Sequence, residues 1–153
     1  MEYEYCYKVT NLKEYLKYIE KKFEFVEKYK EKRVIYRNTN NTIARITYKN
    51  EDMYLDFKEN KISNDDLIIR KESKKIKFDN LKNCEDILKF LEYKKDNSMT
   101  RYRSIYRGTK IKFEIDEYIE PEKAFVISFE GDKKACDKVA IELEELNKKY
   151  KVK

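Results

Sequence analysis

Alternation with a period of two runs through much of this chain, and it limits what the chain can fold into. In EYEYCYKV, residues Glu2, Glu4, Cys6 and Lys8 share one parity, and Tyr3, Tyr5, Tyr7 and Val9 share the other. A two-residue period puts each set on one face of a β-strand. Similar runs cover residues 33–37, 43–49, 53–59, 67–74, 100–107, 110–118 and 124–130. The links between them are short, at 38–41, 49–52 and Gly108. With only 2 Gly and 1 Pro in the chain, Asn, Asp and Lys-rich stretches must make the turns.

The polar face of these runs is ionic. Arg45 and Thr47 oppose Ile46 and Tyr48, and Asp56 and Lys58 alternate with Leu55 and Phe57. Arg70, Glu72 and Lys74 share a parity, as do Arg101 and Arg103. Lys112, Glu114 and Asp116 alternate with Ile111, Phe113 and Ile115, and Ser128 and Glu130 with Ile127 and Phe129. Three further stretches carry helical spacing. Residues 11–32 place Leu12, Tyr15, Leu16, Ile19, Phe23 and Val26 on one side; residues 80–93 place Leu81, Cys84, Ile87, Leu88 and Leu91; residues 133–149 place Ala135, Val139, Leu143 and Leu146. Thr10 or Asn11, Asp79 and Asp132 are their candidate N-caps.

This pattern predicts one α+β domain over residues 1–153. Its centre is an eight-stranded antiparallel β-barrel with flanking helices. Two arrangements fit. The ionic faces could meet solvent, as charged strand faces usually do. Alternatively, the three amphipathic helices cover the apolar faces, and the ionic faces converge on a lumen. Buried charges are costly unless paired or bound to something. A ring of Arg and Lys with clustered carboxylates is what a polyphosphate and its divalent cations require.

Composition narrows the chemistry. The formal net charge of +6 permits an anionic partner without choosing one. The chain has no histidine, which removes His-based proton transfer and His metal ligation. Carboxylates remain as ligands, and they suit Mg²⁺, Mn²⁺ or Ca²⁺. Cys6, Cys84 and Cys136 are odd in number and lack metal-type spacing, so reduced thiols and a cytoplasmic setting are expected. No apolar run is long enough to span a bilayer and no signal peptide is evident, so no membrane partner is expected.

In order along nearly the whole chain, these motifs resemble the CYTH domain, the family also called triphosphate tunnel metalloenzymes. Glu2 and Glu4 resemble its N-terminal Glu-x-Glu-x-Lys, Arg45 the first of two arginines, and Lys58 the lysine of Leu-Thr-x-Lys. Arg70 and Glu72 resemble its Arg-x-Glu, Arg101 and Arg103 its Lys-x-Arg, Asp116 its late aspartate, and Glu130 the second member of a final Glu-x-Glu. Cys6, Thr47 and Ser128 depart from it, standing where the family has lysine, arginine and glutamate.

The resemblance implies an eight-stranded tunnel that binds a triphosphate or nucleotide and hydrolyses it with Mg²⁺ or Mn²⁺. Glu2, Glu4, Asp116 and Glu130 would hold the metal. Arg45, Lys58, Arg70, Lys74, Arg101, Arg103 and Lys112 would bind phosphates. The catalytic cations would be Lys8, one step beyond Cys6 on the same face, and Arg103. A dimer is compatible with this reading. The alternatives are a non-catalytic polyphosphate-binding module, a class IV adenylate cyclase-like enzyme and, ranked last, a nucleic-acid binder that uses basic and Tyr-rich surface.

Overall fold

The computed structural model describes residues 2–40, 42–62 and 67–153, with backbone alone for residues 60–62 and 68–70. Its strands are β1 (Glu2–Val9), β2 (Glu24–Arg37), β3 (Ile43–Lys49), β4 (Asp52–Ile62), β5 (Leu67–Glu72), β6 (Ile76–Phe78), β7 (Lys94–Gly108), β8 (Ile111–Glu120) and β9 (Ala124–Gly131). Its helices are α1 (Leu12–Lys22), α2 (Leu81–Phe90), α3 (Lys133–Glu142) and α4 (Glu144–Tyr150). Eight strands form an antiparallel ring in the order β3-β2-β7-β8-β9-β1-β5-β4, which closes through β3–β4 pairing. The short β6 pairs with β4 further along the edge that β5 occupies. Among the described residues, no helix is long and apolar enough to cross a membrane.

Helices cover the apolar strand faces. Tyr7, Val9, Phe113, Ile115, Ile127 and Phe129 pack beneath Tyr15 and Ile19 of α1 and Cys136 and Val139 of α3. Phe113 and Phe129 are fully buried, with ring centroids 5.3 Å apart. Truncating either to Ala would cost about 3–5 kcal/mol. A second cluster joins Val34, Tyr36, Ala44 and Ile46 to Cys84 and Leu88 of α2. The helices thus occupy the outside, and the ionic parity is left facing inward.

Several element boundaries differ from the sequence expectation. The helical pattern over residues 11–32 stops at Lys22, and residues from Glu24 onward belong to β2. Their register against β7 runs from Glu24↔Arg107 to Arg37↔Lys94. Phe23, which fits the helical period, instead packs its ring 4.5 Å from that of Phe113. Cross-strand pairing outweighs the local helical period here. For the same reason β7 begins at Lys94 rather than residue 100. The last helical stretch is divided at Leu143. Asn80, not Asp79, caps α2 by accepting from the Asn83 amide at 3.0 Å. Asp132 caps α3 as expected, accepting from the Ala135 amide at 3.2 Å.

The end of β9, next to Glu130, requires glycine. Gly131 has φ +142, and a Cβ there would meet the Lys110 carbonyl oxygen at 2.2 Å.

Candidate functional site

Ring closure turns one parity of every strand inward. A cavity of about 390 Å³ is lined by Glu2, Glu4, Arg45, Lys58, Arg101, Arg103, Lys112, Asp116 and Glu130, all singled out from the sequence. Arg33, Glu72, Lys75 and Glu114 line it as well. A larger cavity of about 490 Å³ lies outside the barrel, against α1. It contains none of these residues.

The arginines are held by carboxylates of the same lumen. Arg103 donates to both oxygens of Asp116, at 2.8 and 2.9 Å, and to Glu114 at 2.6 Å. Arg101 donates to Glu31, to Asp116 at 3.4 Å and to the Tyr118 hydroxyl at 2.7 Å. Arg45 grips Asp56 through two nitrogens and reaches Glu72 at 3.1 Å. Burial would raise the Glu114 carboxyl, but Arg103 and Lys112 outweigh it and hold the group at about 2. Burial would likewise raise Glu31, and Arg33, Arg101 and Arg103 keep it below the usual range. Burial opposes the Arg103 charge, and Glu114 and Asp116 reverse that, raising its pKa well above normal.

The neighbouring wall, on β9 and β1, differs. Glu4 and Glu130 are direct cross-strand partners on β1 and β9. Glu4 is 4% exposed. Lys112 stands beside Glu130, its Nζ 3.3 Å from Oε1. Glu4 and Glu130 thus bring two carboxylates together on one stretch of the lumen, with Lys112 beside the second. Mg²⁺ is commonly held by one or two carboxylates together with phosphates and waters, which this pair fits. Among the described residues, no group of three or more Cys, Asp or Glu side chains is placed to hold a metal. Asp116 also lines the lumen, and its oxygens accept from Arg103 and Arg101. Glu2 is exposed, at the edge of the same row.

Three expected cations need separate treatment. Lys8 is exposed and does not line the lumen; its Nζ lies 3.8 Å from Glu122, an exposed carboxylate outside the cavity. Arg70 sits opposite Glu2 in the β1–β5 register, but its side chain lies outside the described residues. Lys74 is exposed and absent from the lining, whereas Lys75 is present.

A bulge explains the exchange of Lys74 for Lys75. Lys58 pairs with Glu72 on β5, whereas Leu55 pairs with Ile76 on β6. One extra residue is therefore inserted between these two pairs. Ser73 anchors the interruption, accepting from the Phe57 amide at 2.8 Å and donating its own amide to the Phe57 carbonyl at 2.9 Å. Continuing the β6 register by one step puts Lys75, not Lys74, opposite Asp56. A one-residue slip reverses the face of every residue after it. Parity counted along the sequence has no means of seeing the insertion.

The departures from the CYTH pattern are related in space. Cys6 and Ser128 are cross-strand partners, and the Ser128 hydroxyl donates to Sγ at 3.5 Å. Two small neutral groups thus face each other where the resemblance would place a lysine and a glutamate. Thr47 pairs with Arg33 across β2–β3 and accepts from its Nε at 3.2 Å. A guanidinium from the neighbouring strand thus stands at the position where the second arginine is missing. Glu31, Arg33, Asp56, Glu114 and Lys75 belong to this network without a motif in the sequence to mark them. The helical period of residues 11–32 masks the parity of Glu31. Asp56 and Glu114 were visible on the ionic face, with nothing to show which cations they meet.

No protein-family model and no curated protein matches the chain. Solved structures do. HpAC1 from Hippeastrum, described as a candidate adenylyl cyclase with a dominant triphosphatase activity, superposes with a TM-score of 0.70 at 15% identity, covering 100% of this chain and 91% of that one. A candidate adenylate cyclase from Vibrio parahaemolyticus matches with a TM-score of 0.62 at 14% identity, covering 96% and 86%. The chain has a CYTH-like fold. A chain of the Schizosaccharomyces pombe Mediator head module also matches, with a TM-score of 0.64 at 11% identity and coverage of 99% and 98%. The CYTH-like architecture is therefore similar to proteins of more than one kind, and function must be argued from the lumen.

Proposed function

We propose that the lumen binds a triphosphate-containing anion together with Mg²⁺ or Mn²⁺ and hydrolyses its terminal phosphoanhydride. The observation that carries this reading is the convergence of Arg33, Arg45, Lys58, Arg101, Arg103 and Lys112 with Glu4 and Glu130 inside one closed ring. Cations and carboxylates are close to balanced among the described lining residues. A lumen of this kind disfavours a bare polyanion and favours one whose charge is partly neutralised by an accompanying cation.

In this reading Glu4 and Glu130 hold the cation. When bound, it withdraws charge from the phosphate oxygens and lowers the pKa of coordinated water. Arg45, Lys58, Arg101 and Arg103 orient the phosphates by charge-assisted hydrogen bonds; Arg70 is proposed to join them from β5. Their carboxylate partners pre-set the guanidinium planes, so little reorganisation is needed as charge shifts to the leaving group. The HpAC1 activity named above agrees with this chemistry.

A second reading rests on the Cys6–Ser128 pair. Losing both members of the family's charged pair would leave a binding module without turnover. One panel separates the two: tripolyphosphate, ATP and thiamine triphosphate, each with Mg²⁺ and Mn²⁺, assayed for phosphate release and for binding by calorimetry. Release supports hydrolysis. Binding without release supports the module, and neither response rejects both.

A further inference from the structure

The bulge between β5 and β6 brings into the lumen a cation that differs in its surroundings from the paired arginines. Lys75 is exposed overall yet lines the cavity with Arg33, Arg45 and Glu72. The extended β6 register sets it opposite Asp56, whose two oxygens are already taken by Arg45. Among the described residues, no carboxylate is recorded within ion-pair distance of Lys75.

Its neighbour Arg33 is also weakly compensated. Arg33 donates to the neutral Thr47 hydroxyl, and its nearest carboxylate contact is Glu31 at 3.6 Å, shared with Arg101 and Arg103. Burial and then Arg101 lower the Arg33 pKa to about 10. Lys75 is lowered too, first by burial and then by Arg33. Two cations that line one cavity, each held down by a neighbouring guanidinium, mark a place where an anion gains from both.

We propose that Lys75, set beside β4 by the bulge, and Arg33 of β2, across the ring from β1, form a phosphate-contacting pair in the lumen. This inference rests on the polyphosphate reading above and extends it. A ligand that engages both walls must be an extended chain of phosphates, so the pair selects tripolyphosphate over orthophosphate. Lys75 also adds a lumen cation in a chain that lacks one at position 6.

The test is calorimetric titration of sodium tripolyphosphate and of orthophosphate, each with Mg²⁺, into the full chain and its Lys75→Ala, Lys75→Arg and Lys74→Ala variants. Lys75→Ala is expected to weaken tripolyphosphate binding about tenfold, the equivalent of one charge-assisted hydrogen bond. Lys75→Arg should retain most of the affinity, and Lys74→Ala should bind like the unaltered chain. Lys75 is exposed, so the melting temperature without ligand should not move, which separates loss of contact from loss of fold. Unchanged affinity in Lys75→Ala, or equal loss in Lys74→Ala, would overturn the inference while leaving the polyphosphate reading standing. If the unaltered chain binds no tripolyphosphate, that reading fails first and the pair fails with it.

Discussion

Two walls of one lumen handle charge in opposite ways. Around Arg101 and Arg103, each guanidinium meets carboxylates from neighbouring strands, and the network is satisfied internally. Around Glu4 and Glu130, two carboxylates face each other across β1 and β9, with Lys112 close to one of them. The first wall holds its guanidiniums in fixed planes, and the second gathers carboxylates of the kind a divalent cation accepts.

Breaking the satisfied wall should have the largest effect. Arg103→Ala leaves Asp116 and Glu114 buried without their main partner, and a loss of about 3–5 kcal/mol is expected in urea unfolding. The Arg103→Ala/Asp116→Ala double variant should recover part of that loss. If the two losses simply add, the network is not the coupled unit its geometry implies.

Acid probes the same wall without mutation. Glu114 has its folded pKa depressed to about 2 from an ordinary value of 4.5. Its contribution is therefore fully present above pH 4.5 and is lost as pH falls toward 2. Melting temperature should drop across that window, and Glu114→Gln should flatten the drop. A profile that Glu114→Gln leaves unchanged would place the acid sensitivity elsewhere.

The carboxylate wall should respond less in stability and more in binding. Glu4→Gln keeps the shape of the side chain and removes its charge, so stability without metal should change by about 1–2 kcal/mol or less. Mg²⁺-dependent binding of tripolyphosphate should meanwhile weaken about tenfold or more. A large destabilisation with unaltered binding would make the two walls alike and remove the contrast. The smallest effect belongs to an ion pair outside both walls. Glu14→Ala removes the surface pair with Lys17 on α1, at 3.1 Å, and should change stability by about 0.5 kcal/mol or less.

Much of this lumen was legible as parity. Arg45, Lys58, Arg101, Arg103, Lys112 and the glutamates of β1 and β9 line the cavity because a period of two fixes which side chains share a face. Lys74 and Lys75 mark where that rule ends. The inserted residue between β5 and β6 is set by where β4 can pair, not by the composition of KESKKIKF. Residues 24–32 teach the same lesson about period: they fit a helix and a strand alike, and the long pairing with β7 decides between them.

What the sequence by itself determined was the division of each strand into an apolar and an ionic face, and the need for helices to cover one of them. Alternation and amphipathicity are local properties, so they survive without knowledge of the fold. Strand register alone sets the ionic faces inward, gives Asp116 its two arginines, makes Cys6 and Ser128 neighbours, and brings in Lys75 where Lys74 was expected. Each of these depends on register between strands far apart in sequence, and a pairing energy shared between two strands cannot be read from either one alone.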